Sequence, residues 1–326
     1  MLKSLAKTIA RLGLHHLGGL TVARNIHRRE FGVLMFHSFS EAERDNMEAL
    51  CEHIARHYHP VSLSEVSAAL HEGAPLPDHA LAITIDDGYR NFLDHGHPIF
   101  HKQHIPTTIY AVANFSDGNL WLWPDQVQYA LEQTAKEVLE LDWNGSILRL
   151  PLTTKAERGS AITHLHEALK LVPNEQRLRF CAELGSLCTV DMPAAPPPDR
   201  AALNWDELRA LASEQVEIGC HTATHPILSR VSDPTALAYE ISGAKQLMEE
   251  RLGFPIRHFC YPNGRPIDIG DAALECVRQA GYATAVTCTF GLNTPQQVDP
   301  IRIRRTPSDS TMPYEYAVEL IAGLHL

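Results

Sequence analysis

The apolar run Leu81-Ala82-Ile83-Thr84-Ile85 stops at Asp86-Asp87-Gly88, and a second run, Val216-Glu217-Ile218-Gly219-Cys220, stops at His221-Thr222-Ala223-Thr224-His225-Pro226. Short β-branched runs that end in polar groups, separated by stretches of helical periodicity, constrain a chain to parallel α/β architecture. In that architecture functional groups gather beyond the carboxyl ends of the strands. Strands are expected over 31–36, 81–85, 107–112, 216–219, 257–261, 282–287 and 301–304, and seven strands fit a barrel better than a small open sheet. Helices are expected between them, over 43–57, 64–71 with Ser64 as cap, 204–212, 234–252 and 268–280. No internal repeat is evident.

Between Phe115 and Leu203 the pattern changes. Trp121, Trp123 and Pro124 open a helical stretch to residue 140, Asp142-Trp143-Asn144-Gly145 has hairpin-turn chemistry, and two more helical stretches follow before the proline-rich run 193–198. A mainly helical cap inserted at about 116–203 is the expected organisation. The two tryptophans fit either a sugar-stacking platform or core anchors of the insertion.

At 326 residues and 44% hydrophobic, the chain has enough apolar material for one barrel or two ordinary domains. A formal charge of -11 disfavours nucleic acid as a partner, since a polyanion is repelled. The seven cysteines are scattered without a CxxC pair, which indicates neither a structural zinc site nor a disulfide framework. Cys220 adjoins His221 and is either a soft ligand or, more simply, a buried strand cysteine. Residues 1–30 form a separate basic amphipathic segment that lacks an apolar core of secretory length, so a cytoplasmic protein is expected, with peripheral membrane contact through this segment as an option.

His-x-x-x-His occurs three times among 19 histidines, at His53/His57, His97/His101 and His221/His225. The first two pairs fall in helix-like stretches, where solvent-facing histidines are expected. The third follows a strand-like run and is stopped by Pro226, which places it in a loop at a strand's carboxyl end. With Asp86-Asp87 it supplies a carboxylate and two imidazoles for a divalent ion, and one carboxylate remains to act as a base.

With these residues the chain resembles the polysaccharide deacetylase family, metal-dependent glycan de-N-acetylases built on a distorted seven-stranded (β/α) barrel. The likeness covers roughly 31–305 without the insertion. Thr84-Ile85-Asp86-Asp87-Gly88 is similar to the family's first motif, which implies Asp86 as general base and Asp87 as metal ligand. His221-Thr222-x-x-His225-Pro226 is similar to the second, which implies both histidines as ligands. The third motif is kept in part by Phe259-Cys260-Tyr261-Pro262-Asn263-Gly264, where the backbone N–H of Asn263 is implied as oxyanion donor. Cys260 stands where the family has an arginine that braces the base, leaving Arg265, Arg302, Arg304 and Arg305 as substitutes. Val33-Leu34-Met35-Phe36-His37 is similar to the circularly permuted members, including the poly-N-acetylglucosamine deacetylases, whose acid histidine lies on the first strand. His37 is therefore the implied general acid, in preference to His325 at the carboxyl terminus.

The resemblance implies an enzyme that removes acetyl groups from N-acetylated sugars of a cell-surface glycan, an exopolysaccharide or its precursor. It implies Zn²⁺ as cofactor, with Co²⁺, Ni²⁺ and Mn²⁺ also suited. The substrates it leaves open are peptidoglycan, a lipid-linked sugar and O-acetyl esters. A glycan-binding protein that has lost catalysis is the alternative from another class, motivated by the missing arginine.

Overall fold

The structure is a computed structural model that describes residues 18–143, 145–214 and 216–324. Among the described residues ten strands occur in chain order: β1 Gly32–Phe36, β2 His59–Pro60, β3 Ala80–Ile85, β4 Thr107–Ala111, β5 Val138–Trp143, β6 Ser146–Pro151, β7 Val216–Cys220, β8 His258–Cys260, β9 Thr284–Val286 and β10 Thr306–Pro307. Seven of them run β10-β1-β3-β4-β7-β8-β9 in one sheet, with β2 beside β3, and every pairing in it is parallel.

The sheet curls until its edges share one segment. Pro300 and Ile303 exchange backbone hydrogen bonds with Ala285 and Thr287 beside β9, and a few residues later Thr306 pairs with Leu34 of β1. This is the distorted (β/α) barrel expected. Alternation along the strands explains how both faces are buried: Leu34, Phe36, Ile83, Ile85, Ile109, Ile218 and Phe259 join the cluster that packs under the helices. Their neighbours Val33, Ala82, Tyr110, Cys260, Val286 and Ile303 form a separate, smaller cluster. A strand covered on both faces by apolar partners reads as a continuous hydrophobic run.

Several boundaries differ from expectation. The last strand was expected over 301–304, but there only an isolated bridge joins Val286 and Ile303, and regular pairing resumes at Thr306, because this segment serves two edges in turn. The cap of helix Leu63–Glu72 is Ser62, not Ser64: Ser62 Oγ accepts from the Glu65 N–H and Glu65 returns a bond to the Ser62 N–H. This reciprocal capping box outcompetes a serine two residues further in.

The insertion leaves the barrel after β4 and returns before β7. It contains helices Trp123–Gln133, Lys155–Leu171 and Asn174–Cys188 and the antiparallel hairpin β5–β6. The first helix ends at Gln133 and not at residue 140, since 138–143 alternates exposed and buried with Leu139 and Leu141 inward, a period of two. These elements share an apolar cluster of their own, built on Val127, Leu131, Leu141, Leu165, Leu169 and Leu184. Most of the expected amphipathic segment, residues 1–17, and His325 lie outside the described residues. The described end of that segment, helix Gly19–Ile26, packs Leu20 on the main core and buries Ala23. Among the described residues no helix is long and apolar enough to cross a membrane.

Candidate active site

The ends of β1, β3, β7 and β8 open into one cleft of about 460 Å³, lined among others by His37, Asp86, Asp87, His221, His225 and Asn263. All six residues singled out from the sequence are thus brought together. Local backbone geometry places them: Asp87, Thr222, His225 and Asn263 all have positive φ, between 58 and 70°. Non-glycine residues adopt this region at a cost, and such residues cluster at functional sites. After Asp87 the chain turns again at Gly88, φ 78°, where an added Cβ would lie 3.2 Å from the Cα of Ala111. Only glycine fits both the turn and that approach.

Asp87 is the centre of one cluster. Its Oδ1 lies 3.4 Å from His221 Nε2 and 3.2 Å from His225 Nε2, and ligand atoms of the three buried residues fall within 4.8 Å of one another. Burial works against the Asp87 charge, but the hydrogen bonds to His221 and His225 outweigh it and hold the carboxyl well below the usual range. Burial lowers the pKa of His225, against the pull of Asp87. The Nδ1 of His221 donates to the Cys260 carbonyl at 2.7 Å, which orients the ring with Nε2 toward Asp87. That bond through the second nitrogen is the usual way a ligating histidine is oriented. His225 Nδ1 is buried with no hydrogen-bond partner.

The loop that carries His225 is tied down from two sides. The His225 N–H donates to Thr222 Oγ1, and the carboxylate of Glu240 accepts from the N–H groups of Ala223 and Thr224 and from Thr224 Oγ1. Ala113 and Asn114, just past β4, donate to the carbonyls of Thr222 and Ala223. Glu240 lies in a helix well downstream of this loop and carries no motif that would reveal this role.

Asp86 is held separately. The fully buried guanidinium of Arg305 grips it with two bonds, Nη1 to Oδ1 at 2.6 Å and Nη2 to Oδ2 at 2.8 Å, while Nε donates to the Thr287 carbonyl. Burial alone would raise the Asp86 pKa; the Arg305 charge and hydrogen bonds reverse this and lower it. Of the four arginines left open by the sequence, Arg305 is the one on the base. Cys260, standing where a bracing arginine was expected, puts its Sγ 3.2 Å from Arg305 Nη2 and 3.4 Å from Asp86 Oδ2. The smaller side chain leaves room for a guanidinium from the far end of the chain. Arg265 instead pairs with the buried Asp268, which also accepts from the side-chain amide of Asn263 and so supports that turn.

His37 Nε2 approaches Asp86 Oδ2 to 3.9 Å, with its side chain 44% exposed to the cleft. Cys220 is fully buried, its thiol pushed up to about 12 by burial, and is not one of the clustered donors. The insertion contributes a wall the sequence did not assign: Trp123, His166, Glu167 and Lys170 line the cleft, and Glu167 Oε2 accepts from Arg265 at 3.2 Å. Trp121 and Trp123 are both buried, as core anchors, although Trp123 also faces the cleft. All seven cysteines are free.

One carboxylate oxygen and two imidazole nitrogens, buried and convergent, suit a divalent ion with open positions. A braced carboxylate beside them, with the His37 imidazole 3.9 Å from it, is the apparatus of acyl hydrolysis. The family model for polysaccharide deacetylase matches residues 189–285, which carry His221, His225 and Asn263. Asp86 and Asp87 fall outside the matched span, across the insertion, and reach the site through the fold. Solved structures share that fold. The Streptococcus pyogenes deacetylase PplD, solved with acetate, is 15% identical, with 90% of this chain and 98% of that one covered and a TM-score of 0.58. IcaB from Ammonifex degensii is 15% identical, over 90% and 98%, with a TM-score of 0.57. The BpsB deacetylase domain from Bordetella bronchiseptica is 18% identical, over 86% and 96%, with a TM-score of 0.55. No curated protein matches the sequence. The domain match over residues 189–285 and the fold shared with these structures support a NodB-like polysaccharide deacetylase similar to IcaB, and the class of activity they support is carbohydrate deacetylation.

Proposed function

We propose that the protein is a metal-dependent de-N-acetylase of an N-acetylated glycan, with poly-N-acetylglucosamine or its precursor as the substrate class. The observation that carries this is the pairing, in one cleft, of the Asp87–His221–His225 donor set with a separately braced carboxylate, Asp86. Asp87, His221 and His225 would hold the ion. When bound, a divalent ion, Zn²⁺ by donor type, supplies Lewis-acid polarisation of the acetyl carbonyl and acidifies water. Asp86 takes the proton of the attacking water, and the bidentate grip of Arg305 keeps its oxygens aimed and ionised. The Asn263 N–H, presented by a positive-φ turn, donates to the developing oxyanion. His37 delivers a proton to the departing nitrogen, which is needed because an amine anion is a very poor leaving group.

The test is acetate release from N-acetylglucosamine oligomers with added Zn²⁺ or Co²⁺. Asp86→Asn is expected to retain its ion and lose activity. His37→Ala is expected to retain ion and fold and to lose kcat by about 10²–10⁴-fold. Full activity of both variants would remove the proposed roles. Release from peptidoglycan fragments or O-acetyl esters, and not from these oligomers, would move the substrate while keeping the site.

A further inference from the structure

The barrel carries a second convergence of metal-ligating side chains, at the opposite end from the cleft. His97 and His101 are one turn apart on helix His97–Lys102, their ring centroids 5.3 Å apart, so both side chains lie on one helical face. Glu214, just before β7, brings its Oε2 to 3.2 Å from His97 Nε2. One donor atom from each of the three falls within 4.8 Å of the others. His97 is 93% buried, and its Nε2, which faces this cluster, makes no hydrogen bond despite the nearby carboxylate. A two-histidine, one-carboxylate set is donor chemistry that takes zinc. His101 and Glu214 are exposed, which leaves the site open to ions from solvent.

We propose that His97, His101 and Glu214 form a peripheral transition-metal site, for Zn²⁺ or a similar ion, distinct from the cleft. Glu214 precedes β7 whereas His221 follows it, so the length of the strand, roughly 13 Å by strand rise, lies between the two clusters. The site has a mechanical consequence. Helix His97–Lys102 follows β3, which delivers Asp86 and Asp87, and Glu214 leads into β7, which delivers His221 and His225. An ion here ties the helix that connects β3 to β4 to the segment that leads into β7.

The experiment is Zn²⁺ titration of the full chain by calorimetry, with metal content after dialysis, on wild type, His101→Ala, Glu214→Gln and His221→Ala. Wild type is expected to take two ions, and His101→Ala and Glu214→Gln one each, with unchanged circular dichroism because both side chains are at the surface. His221→Ala is expected to keep one ion, which disappears in His221→Ala/His101→Ala. Zinc should raise the Tm of His221→Ala but not of that double variant. Equal zinc content in wild type and His101→Ala, or an equal Tm response of the single and double variants, would overturn the site. A single wild-type ion that is lost in His101→Ala and kept in His221→Ala would support the peripheral site and count against the one in the cleft.

Discussion

Arg305 shows how much can rest on one side chain. Its guanidinium is buried against Asp86 and satisfied by Thr287 and Thr84 as well, so it acts as a fork with two fixed prongs on one carboxylate. Lysine would keep the charge but present a point donor. Arg305→Lys is therefore expected to retain the ion and a near-normal KM and to lose about 10²-fold in kcat, the cost of misaiming a reacting group. Equal kcat in steady-state assays would show that the brace is structural only. A second residue, Asp125, is set against its own charge: burial, with Asp87 nearby, raises its pKa to about 6 even though Tyr89 donates to it at 2.7 Å. Because the folded value lies above the ordinary carboxylate value of about 4, this group's contribution is full below about pH 4 and is lost as pH rises through 6. Stability should fall over that window by up to about 3 kcal/mol from this group, and Asp125→Asn should flatten that part of the denaturation profile. An unchanged profile would mean that Asp125 titrates normally.

Among the elements, the insertion has its own core and meets the barrel through a small apolar cluster of Val112, Phe115 and Leu122 with Tyr89, and through polar bonds that include those of Asp125 with Tyr89, Glu167 with Arg265, and Asp117 with Trp205. A unit that buries its apolar surface internally can be removed with limited damage to its host. Replacing 124–199 by a short Gly/Ser linker is expected to leave a folded barrel that still binds its cleft ion, seen by circular dichroism and metal content. The wall formed by Trp123, His166, Glu167 and Lys170 would be breached, so KM for oligosaccharides should rise. A soluble but unfolded product would show that the insertion belongs to the barrel's folding unit.

For the whole molecule, the donors Asp87, His221 and His225 come from the ends of β3 and β7, which are separated in the sheet by β4. An ion between them cross-links elements far apart in sequence and stabilises only the folded chain. With free ion a thousandfold above its Kd this amounts to about 4 kcal/mol. Chelation should lower the Tm by several degrees, since each kcal/mol shifts a chain of this size by about 2–4 °C, and should abolish acetate release. A Tm indifferent to chelator in scanning calorimetry would be incompatible with a bound ion in the cleft.

Much of this was legible from local order alone. Short continuous apolar runs and helical stretches between them dictated parallel strands, and strand runs that stop at Asp86-Asp87 or at His221 name the groups on the rim, because a strand's carboxyl end is where a parallel barrel presents side chains. What local order could not convey is partnership across the barrel. Four arginines were equally available as the brace, and only the curl that returns residues 300–307 between β9 and β1 places Arg305 against Asp86, 219 residues away. The histidine pair at 97 and 101 looked solvent-facing because its spacing describes one helix, whereas the burial of His97 and the approach of Glu214 depend on how that helix packs beside β7. Glu240 and the cleft wall from the insertion were hidden for the same reason. Periodicity encodes which face of an element is buried, while what lies across from that face is decided only when distant elements pack together.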